Sequence, residues 1–279
     1  TLKMSVSANT SPFVGKEGSQ LTSQKICDRI MKELEVNVSL RMTPGETGEY
    51  ILWGRGELHL SVFVENLRRE GFELQVAKPQ VVTKEIDGKT FEPIEELTVD
   101  VQSQYASTIT GEVAKRKGML ISQNENDDGS ARLIFEIPTR ALLGLRNHLL
   151  TLSRGTAAMN ATFLRFAPQG SAVSKLRNGV LIASEGGKAV SYGLNNAQQR
   201  GITFVPPQTP VYEGMIVGLH ARDNDLEVNV TREKKQTNVR SSGNDDAITL
   251  TPATVFSLEQ SIDFLEDDEL LEVTPKSLR

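Results

Sequence analysis

Between Arg232 and Arg240 lies a run of side chains suited to nucleic-acid backbones. Arg232, Lys234, Lys235 and Arg240 stand against a single acid, Glu233, a local charge of +3 over residues 231–240. Gln236, Thr237 and Asn238 add uncharged donors of the kind that reach phosphate and sugar oxygens. Across 229–246 only Val230 and Val239 are apolar, so the stretch has no core of its own and reads as a loop. Two readings of it stand on the residues alone. One is a solvated surface loop, and the other is a basic loop that orders on RNA phosphates. Four phosphate contacts would give a log–log salt slope of roughly 3, at about 0.7–0.9 per contact.

A second cluster, Lys115-Arg116-Lys117, ends an expected helix just before Gly118. Cations are favoured there by the helix dipole even without a ligand, and a nucleic-acid role competes with that one. Arg146 and Arg154 are candidates to extend the same face, pairing with a neighbouring acid being the other role open to Arg146. Catalytic apparatus is not found. The string nearest to a phosphate cradle, Gly15-Lys16-Glu17-Gly18-Ser19, has the wrong spacing. His59, His148 and His220 fall in separate blocks with no Cys/His cluster, so no metal site is expected. There is no GxSxG elbow, and Cys27 falls on the apolar side of a helix, where an inert buried thiol is expected.

The chain of 279 residues is acidic as a whole, with 31 Lys+Arg against 36 Asp+Glu. Its 38% hydrophobic and 5% aromatic content fits globular domains and speaks against a surface that works mainly by base stacking. No apolar run approaches the ~20 residues of a membrane helix. Residues 1–15 lack the pattern of a signal peptide. One cysteine excludes an internal disulfide and fits a reducing cytosol. The chain opens inside an apolar-alternating pattern, which reads as the start of a domain in a longer protein.

These residues must be positioned by elements that the sequence lays out in order. LKMSVSA (2–8) alternates as a strand. Ile26, Ile30 and Leu34 at i, i+4, i+8 predict a helix, with Thr22 or Ser23 as its N-cap. VNVSLRM and YILWG are strands around the turn PGETGE. A second helix runs from Glu57 toward Gly71, with Leu58 and Val62 in its buried stripe and Glu57 facing its positive end. FELQVA is the fourth strand. The order β-α-β-β-α-β repeats in ELTVDV, QYASTITGEVAKRKG, MLISQ, ARLIFEI, PTRALLGLRNHLLTLSRG and AAMNATFLRF. The expected fold class is therefore α+β, with two ferredoxin-like (βαββαβ) sandwiches, 1–78 and 93–167, joined by the linker 79–92. A mainly β C-terminal domain, 168–279, follows as a small barrel or a twisted sheet with short helices. The acidic run 259–272, EQSIDFLEDDELLE, is expected to be a solvated helix face and connector.

WGRGELHLSVFVENLRREGFELQVAKPQV (53–81) resembles the third domain of the elongation factor G group of translational GTPases. FEPIEELTVDVQSQYASTITGEVAKRKG and the residues up to FLRF resemble the fifth domain of that group. Elongation factor G carries a fourth domain where this chain has only the linker 79–92, so the resemblance is not to a translocase. PTRALLGLRNHLLTLSRGTAAMN, YEGMIVG and VTREKKQTN look like the TypA/BipA family, and with them the likeness covers essentially the whole chain. It implies the C-terminal half of a bacterial, ribosome-associated GTPase linked to stress, cold, virulence and large-subunit assembly. GTP, magnesium and hydrolysis would belong to an N-terminal domain outside these residues, leaving this chain without enzymatic activity. The implied partners are the ribosome, chiefly large-subunit rRNA and A-site tRNA. The basic loop would reach toward the peptidyl-transferase centre, and the second sandwich would face the stalk base. A cytoplasmic, ribosome-associated monomer with no membrane partner is expected, its family continuing past residue 279 in a basic tail. The alternative is a regulatory module whose paired sandwiches bind a small ligand or a second copy of the chain.

Overall fold

A computed structural model describes residues 1–171, 173, 177–234 and 248–279. They divide into two compact units, 1–174 with 258–278, and 175–257 with Arg279.

In the first unit, β1 (Leu2–Ala8), α1 (Ser23–Val36), β2 (Arg41–Pro44), β3 (Tyr50–Gly54), α2 (Glu57–Arg69) and β4 (Leu74–Ala77) follow the expected order. They pair as β4-β1-β3-β2, each contact antiparallel. Alternation along β1 sends Leu2, Met4 and Val6 into the core and turns Lys3, Ser5 and Ser7 the other way. Thr22 caps α1, and Ile26 and Ile30 are buried beneath it. On α2 the buried residues include Leu60, Phe63, Val64 and Leu67, whereas Leu58 and Val62, expected inside, are 64% and 50% exposed. The stripe 60/63/64/67 is complete without them, and a period of 3.6 residues turns positions 58 and 62 to the opposite side. Gly54 lets the strand approach this helix, because a Cβ there would lie 2.8 Å from Leu60.

The loop from β1 to α1 has little apolar content and is ordered by a carboxylate instead. Glu73 is fully buried and accepts hydrogen bonds from the N–H groups of Gly15 (2.7 Å), Glu17 (2.9 Å) and Gly18 (2.6 Å). Burial opposes its ionisation, but these backbone donors outweigh burial and hold the carboxyl below its ordinary range. The Gly15–Gly18 string, which has no phosphate-loop spacing, is thus a nest of N–H groups filled by the protein's own glutamate.

β5 (Gln80–Val81) adds to β1, and β6 (Lys84–Ile86) pairs with β7 (Lys89–Gln102). The plan then repeats in α3 (Ala106–Lys115), β8 (Met119–Glu125), β9 (Ser130–Pro138), α4 (Thr139–Leu142), α5 (Leu145–Leu152) and β10 (Ala158–Pro168). The sheet order β10-β7-β9-β8 matches that of the first sandwich. Leu97, Val99, Leu133 and Phe135 meet Ile109, Val113, Leu145 and Leu149 in its core. One helix was expected over 138–155, and Gly144, at φ +66°, divides it into α4 and α5.

The second unit holds β11 (Val180–Ala183), β12 (Gly187–Lys188), α6 (Ser191–Gln198), β13 (Gly201–Thr203), β14 (Pro210–Val211), β15 (Ile216–His220) and β16 (Leu226–Val228). Among the described residues these form an open sheet, β13-β15-β11-β16, and a two-stranded ribbon, β12-β14, rather than a closed barrel.

Residues 258–278, expected in the C-terminal domain, lie in the first unit. α7 (Leu258–Phe264) packs on α2, and β17 (Leu270–Val273) adds to the edge of β4. Leu258, Ile262, Leu265, Leu271 and Val273 enter the first core. The acidic run is therefore a structural element and not only a solvated connector. Its apolar residues recur at i, i+4 and i+7 among the acids, and that stripe outweighs the charge. Ile262→Ala is expected to lower the unfolding free energy of the first unit by about 2–5 kcal/mol. Leu270→Ala, at a side chain 55% exposed, should change it by less than about 0.5 kcal/mol. Denaturant unfolding followed by the emission of Trp53, which lies in this unit, measures both.

Candidate nucleic-acid interface

The basic run begins just after β16. Asn229 Oδ1 accepts from the Thr231 N–H (3.0 Å) and hydroxyl (2.9 Å), forming a local turn, and Val230 is buried. Arg232, Glu233 and Lys234 follow in exposed positions. At the root of the loop buried Val230 is thus followed by exposed charge. Lys235, Gln236, Thr237, Asn238 and Arg240 lie outside the described residues.

In the second sandwich, Lys115 and Lys117 are exposed at the end of α3, and Lys115 pairs with Glu112 at 3.3 Å. Arg116 between them is 4% exposed and is corrected from a candidate RNA ligand to a structural residue. Its Nη1 donates to the carbonyls of Ala141 (3.3 Å) and Leu143 (2.9 Å), and its Nε lies 3.7 Å from Glu112. The break at Gly144 leaves carbonyls without intrahelical partners, and helical phase turns Arg116, alone of the three, toward them. Lys115 and Lys117 are thereby held at the α4–α5 joint, the end of α5 that carries Arg146. Arg146 is exposed and donates to the Met159 carbonyl (3.1 Å) rather than to an acid. Arg154, exposed at φ +52°, lies beyond the opposite end of α5.

Each histidine has a structural partner. His59 Nδ1 accepts from the Arg55 N–H (3.2 Å), His148 Nε2 is 3.2 Å from Glu112, and His220 Nδ1 is 2.5 Å from the Asn224 carbonyl. Cys27 is half-buried, where full burial was expected.

A cleft of about 520 Å³ opens between the two sandwiches, lined among others by Arg55, Glu57, Glu95, Arg146, Glu259 and Asp263. At its base Glu57, the first residue of α2, accepts from the Gly144 N–H (3.2 Å) and shares a hydrogen bond with Asp263 of α7. Asp263 also accepts from Asn147 Nδ2 at 2.7 Å. Burial first, and the adjacent Asp263 second, push the Glu57 carboxyl up to about 8. Burial raises Asp263 as well, while Asn147 and the bond from Glu57 oppose that rise. These directions place the proton on Glu57, donated to Asp263. The sequence offered Glu57 only as a helix-dipole acid, since its partner arrives with α7.

Residues 178–279 match the TypA/BipA C-terminal domain family, and residues 89–176 match the elongation factor G C-terminus family. Over its whole length the chain is 47% identical to the large ribosomal subunit assembly factor BipA of Bacillus subtilis (strain 168). It is 46% identical to the proteins of that name in Salmonella typhimurium (strain LT2) and Escherichia coli (strain K12). Each alignment takes in 100% of this chain and 46% of the relative, so the chain spans about half the length of the relatives it matches. A crystal structure from Thermus thermophilus aligns with 60% of this chain and 40% of its own at 15% identity, with a TM-score of 0.41, too slight a likeness to argue from.

The carboxyl joint sets a pH dependence. Glu57 binds a proton in the folded state that the unfolded chain, near 4.5, gives up. Its contribution is full below pH 4.5 and is lost as pH rises through about 8, so it weakens the first unit steadily across that window. Glu57→Gln keeps a donor toward Asp263 without a titrating proton. Denaturant midpoints at pH 5, 6, 7 and 8 should fall less steeply for the variant than for the parent.

Proposed function

We propose that this chain, which belongs with the TypA/BipA family as its C-terminal half, is the ribosome-binding region of a translational GTPase acting in large-subunit assembly or in stress-linked translation. The observation that carries this reading is identity of 46–47% across the entire chain to proteins named large ribosomal subunit assembly factors. GTP, magnesium and hydrolysis are assigned to a part of the protein outside these residues. The region works in the cytoplasm as a monomer on the ribosome, meeting large-subunit rRNA and A-site tRNA.

Phosphate contacts fall to Arg232, Lys234, Lys235 and Arg240, with Gln236, Thr237 and Asn238 as uncharged donors. Lys115, Lys117, Arg146 and Arg154 form a second set. Arg232, Lys234, Lys115, Lys117, Arg146 and Arg154 are exposed, and the loop's composition, four cations with two apolar residues over 229–246, suits a segment that orders on RNA.

Co-sedimentation with large ribosomal subunits over a salt series tests the reading. The parent protein, with its GTP domain and a non-hydrolysable analogue, is compared with its Arg232→Ala, Lys234→Ala, Lys235→Ala, Arg240→Ala variant. The variant should bind more weakly, with a log–log salt slope shallower by roughly 3. Equal strength and slope would return the loop to solvated surface. A parent that forms a stable dimer and ignores the subunit would favour the regulatory module instead.

A further inference from the structure

Trp53 is the one tryptophan of the chain, and it lies on β3, between β1 and the edge strand β2 of the first sheet. Along that strand Leu52 and Gly54 are buried against the helices, so Trp53 faces the other way and is half-buried. The strand register places it between two cations. Lys3 of β1 is its direct partner on one side, and Arg41 of β2 is its direct partner on the other. Side chains opposed in this way have Cβ atoms about 4.5–5.5 Å apart, so the three form one row across the sheet. The indole Nε1–H donates to Thr43 Oγ1 at 3.1 Å, which orients the ring across β2 and β3 and satisfies its only polar atom.

The row is cationic without local compensation. β1, β2 and β3 read LKMSVSA, RMTP and YILWG, with no acid among them. No ion pair among the described residues includes Lys3 or Arg41. An aromatic ring on the open face of a four-stranded sheet is how sheet-face RNA readers stack an unpaired base, and flanking cations meet the neighbouring phosphates. Duplex RNA keeps its bases stacked on one another and has none to give to such a ring.

We propose that the Lys3–Trp53–Arg41 row binds single-stranded RNA, stacking one unpaired base on the indole and holding the adjacent phosphates with Lys3 and Arg41. This uses different residues from the basic loop and asks for an unpaired base rather than for the ribosome, so it goes beyond the reading above. The low aromatic content excludes an extended stacking surface and leaves room for a single well-placed ring.

Emission from Trp53 reports on this site directly. Titration of the chain with a single-stranded eight-nucleotide oligouridylate at low salt should quench that emission to saturation. The apparent affinity should fall with salt at a slope of about 1.4, from two contacts at about 0.7 each. Lys3→Ala with Arg41→Ala keeps the reporter and should bind more weakly with a slope near zero. Trp53→Ala, followed by the anisotropy of labelled RNA, should bind roughly 5- to 150-fold more weakly, the range of a lost base–aromatic stack. The four-alanine loop variant should quench as the parent does, so loss of subunit binding and loss of stacking are read separately. Absence of quenching, equal affinity for a duplex of the same length, unchanged binding by Trp53→Ala, or loss of quenching in the loop variant would each overturn the proposal.

Discussion

Two carboxylates without access to water must be satisfied before the first sandwich can close. Glu73 and Glu272 are both buried, and a buried charge without partners is a heavy cost to a fold. Asn9 lies between them, its amide donating to Glu272 at 2.9 Å and to Glu73 at 3.4 Å, and Ser11 adds a 2.6 Å bond to Glu272. The first of these bonds joins residues 263 positions apart. Around it the seam widens. Glu17 accepts from Ser277 at 3.0 Å and from Thr274, and Arg68 Nε donates to the Thr274 carbonyl at 2.9 Å. A largely polar loop is thereby tied to Glu73, to Glu272 of β17 and to Thr274 and Ser277. Hydrophobic burial supplies the core of this sandwich, and satisfaction of charge decides where its ends must lie.

The second joint of the same unit works by the opposite electrostatics. Glu73 is ionised because backbone donors converge on it, whereas Glu57 retains its proton because burial and a second carboxyl oppose charge. Glu57 belongs to the string GRGELHL, so the residues that make a compact strand-to-helix turn also carry the contact between the sandwiches. Gly144 has two tasks there. Its positive φ breaks the helix, and its N–H is then available to Glu57. Arg116 closes the other side of that break by binding the carbonyls it leaves open.

Legibility in the sequence followed whether a residue's partner was near in the chain. Strand alternation and the 3.6 period are local, and they gave both βαββαβ blocks and their order. His59 and His220 are explained by neighbours four residues away, whereas His148 meets Glu112 of α3, 36 positions earlier. What could not be read depended on distant chain. Leu58 and Val62 look like members of a stripe until the positions of the sheet and α7 define which side of α2 is inside. Lys115, Arg116 and Lys117 look equivalent until α4 and α5 supply carbonyls to one of them. The acidic run looks solvated because its acids outnumber its apolar residues, although the spacing of Leu258, Ile262 and Leu265 was available as a signal. Arg232 and Lys234 are exposed, and the rest of the basic run lies outside the described residues. The Lys3–Trp53–Arg41 row emerges only when three strands, separate in sequence, are placed in register.

The late arrival of β17 and α7 bears on how the protein is made. A ribosome synthesising this chain releases the strands and helices of the first sandwich before those of the second, but the pieces that cover β4 and α2 follow only after β16. Until then the nascent chain exposes an unpaired strand edge and an uncovered helix surface, both prone to mispairing. Contacts of such long sequence separation also slow folding. Completion of the first sandwich thus waits on synthesis of the second sandwich and of residues 175–257.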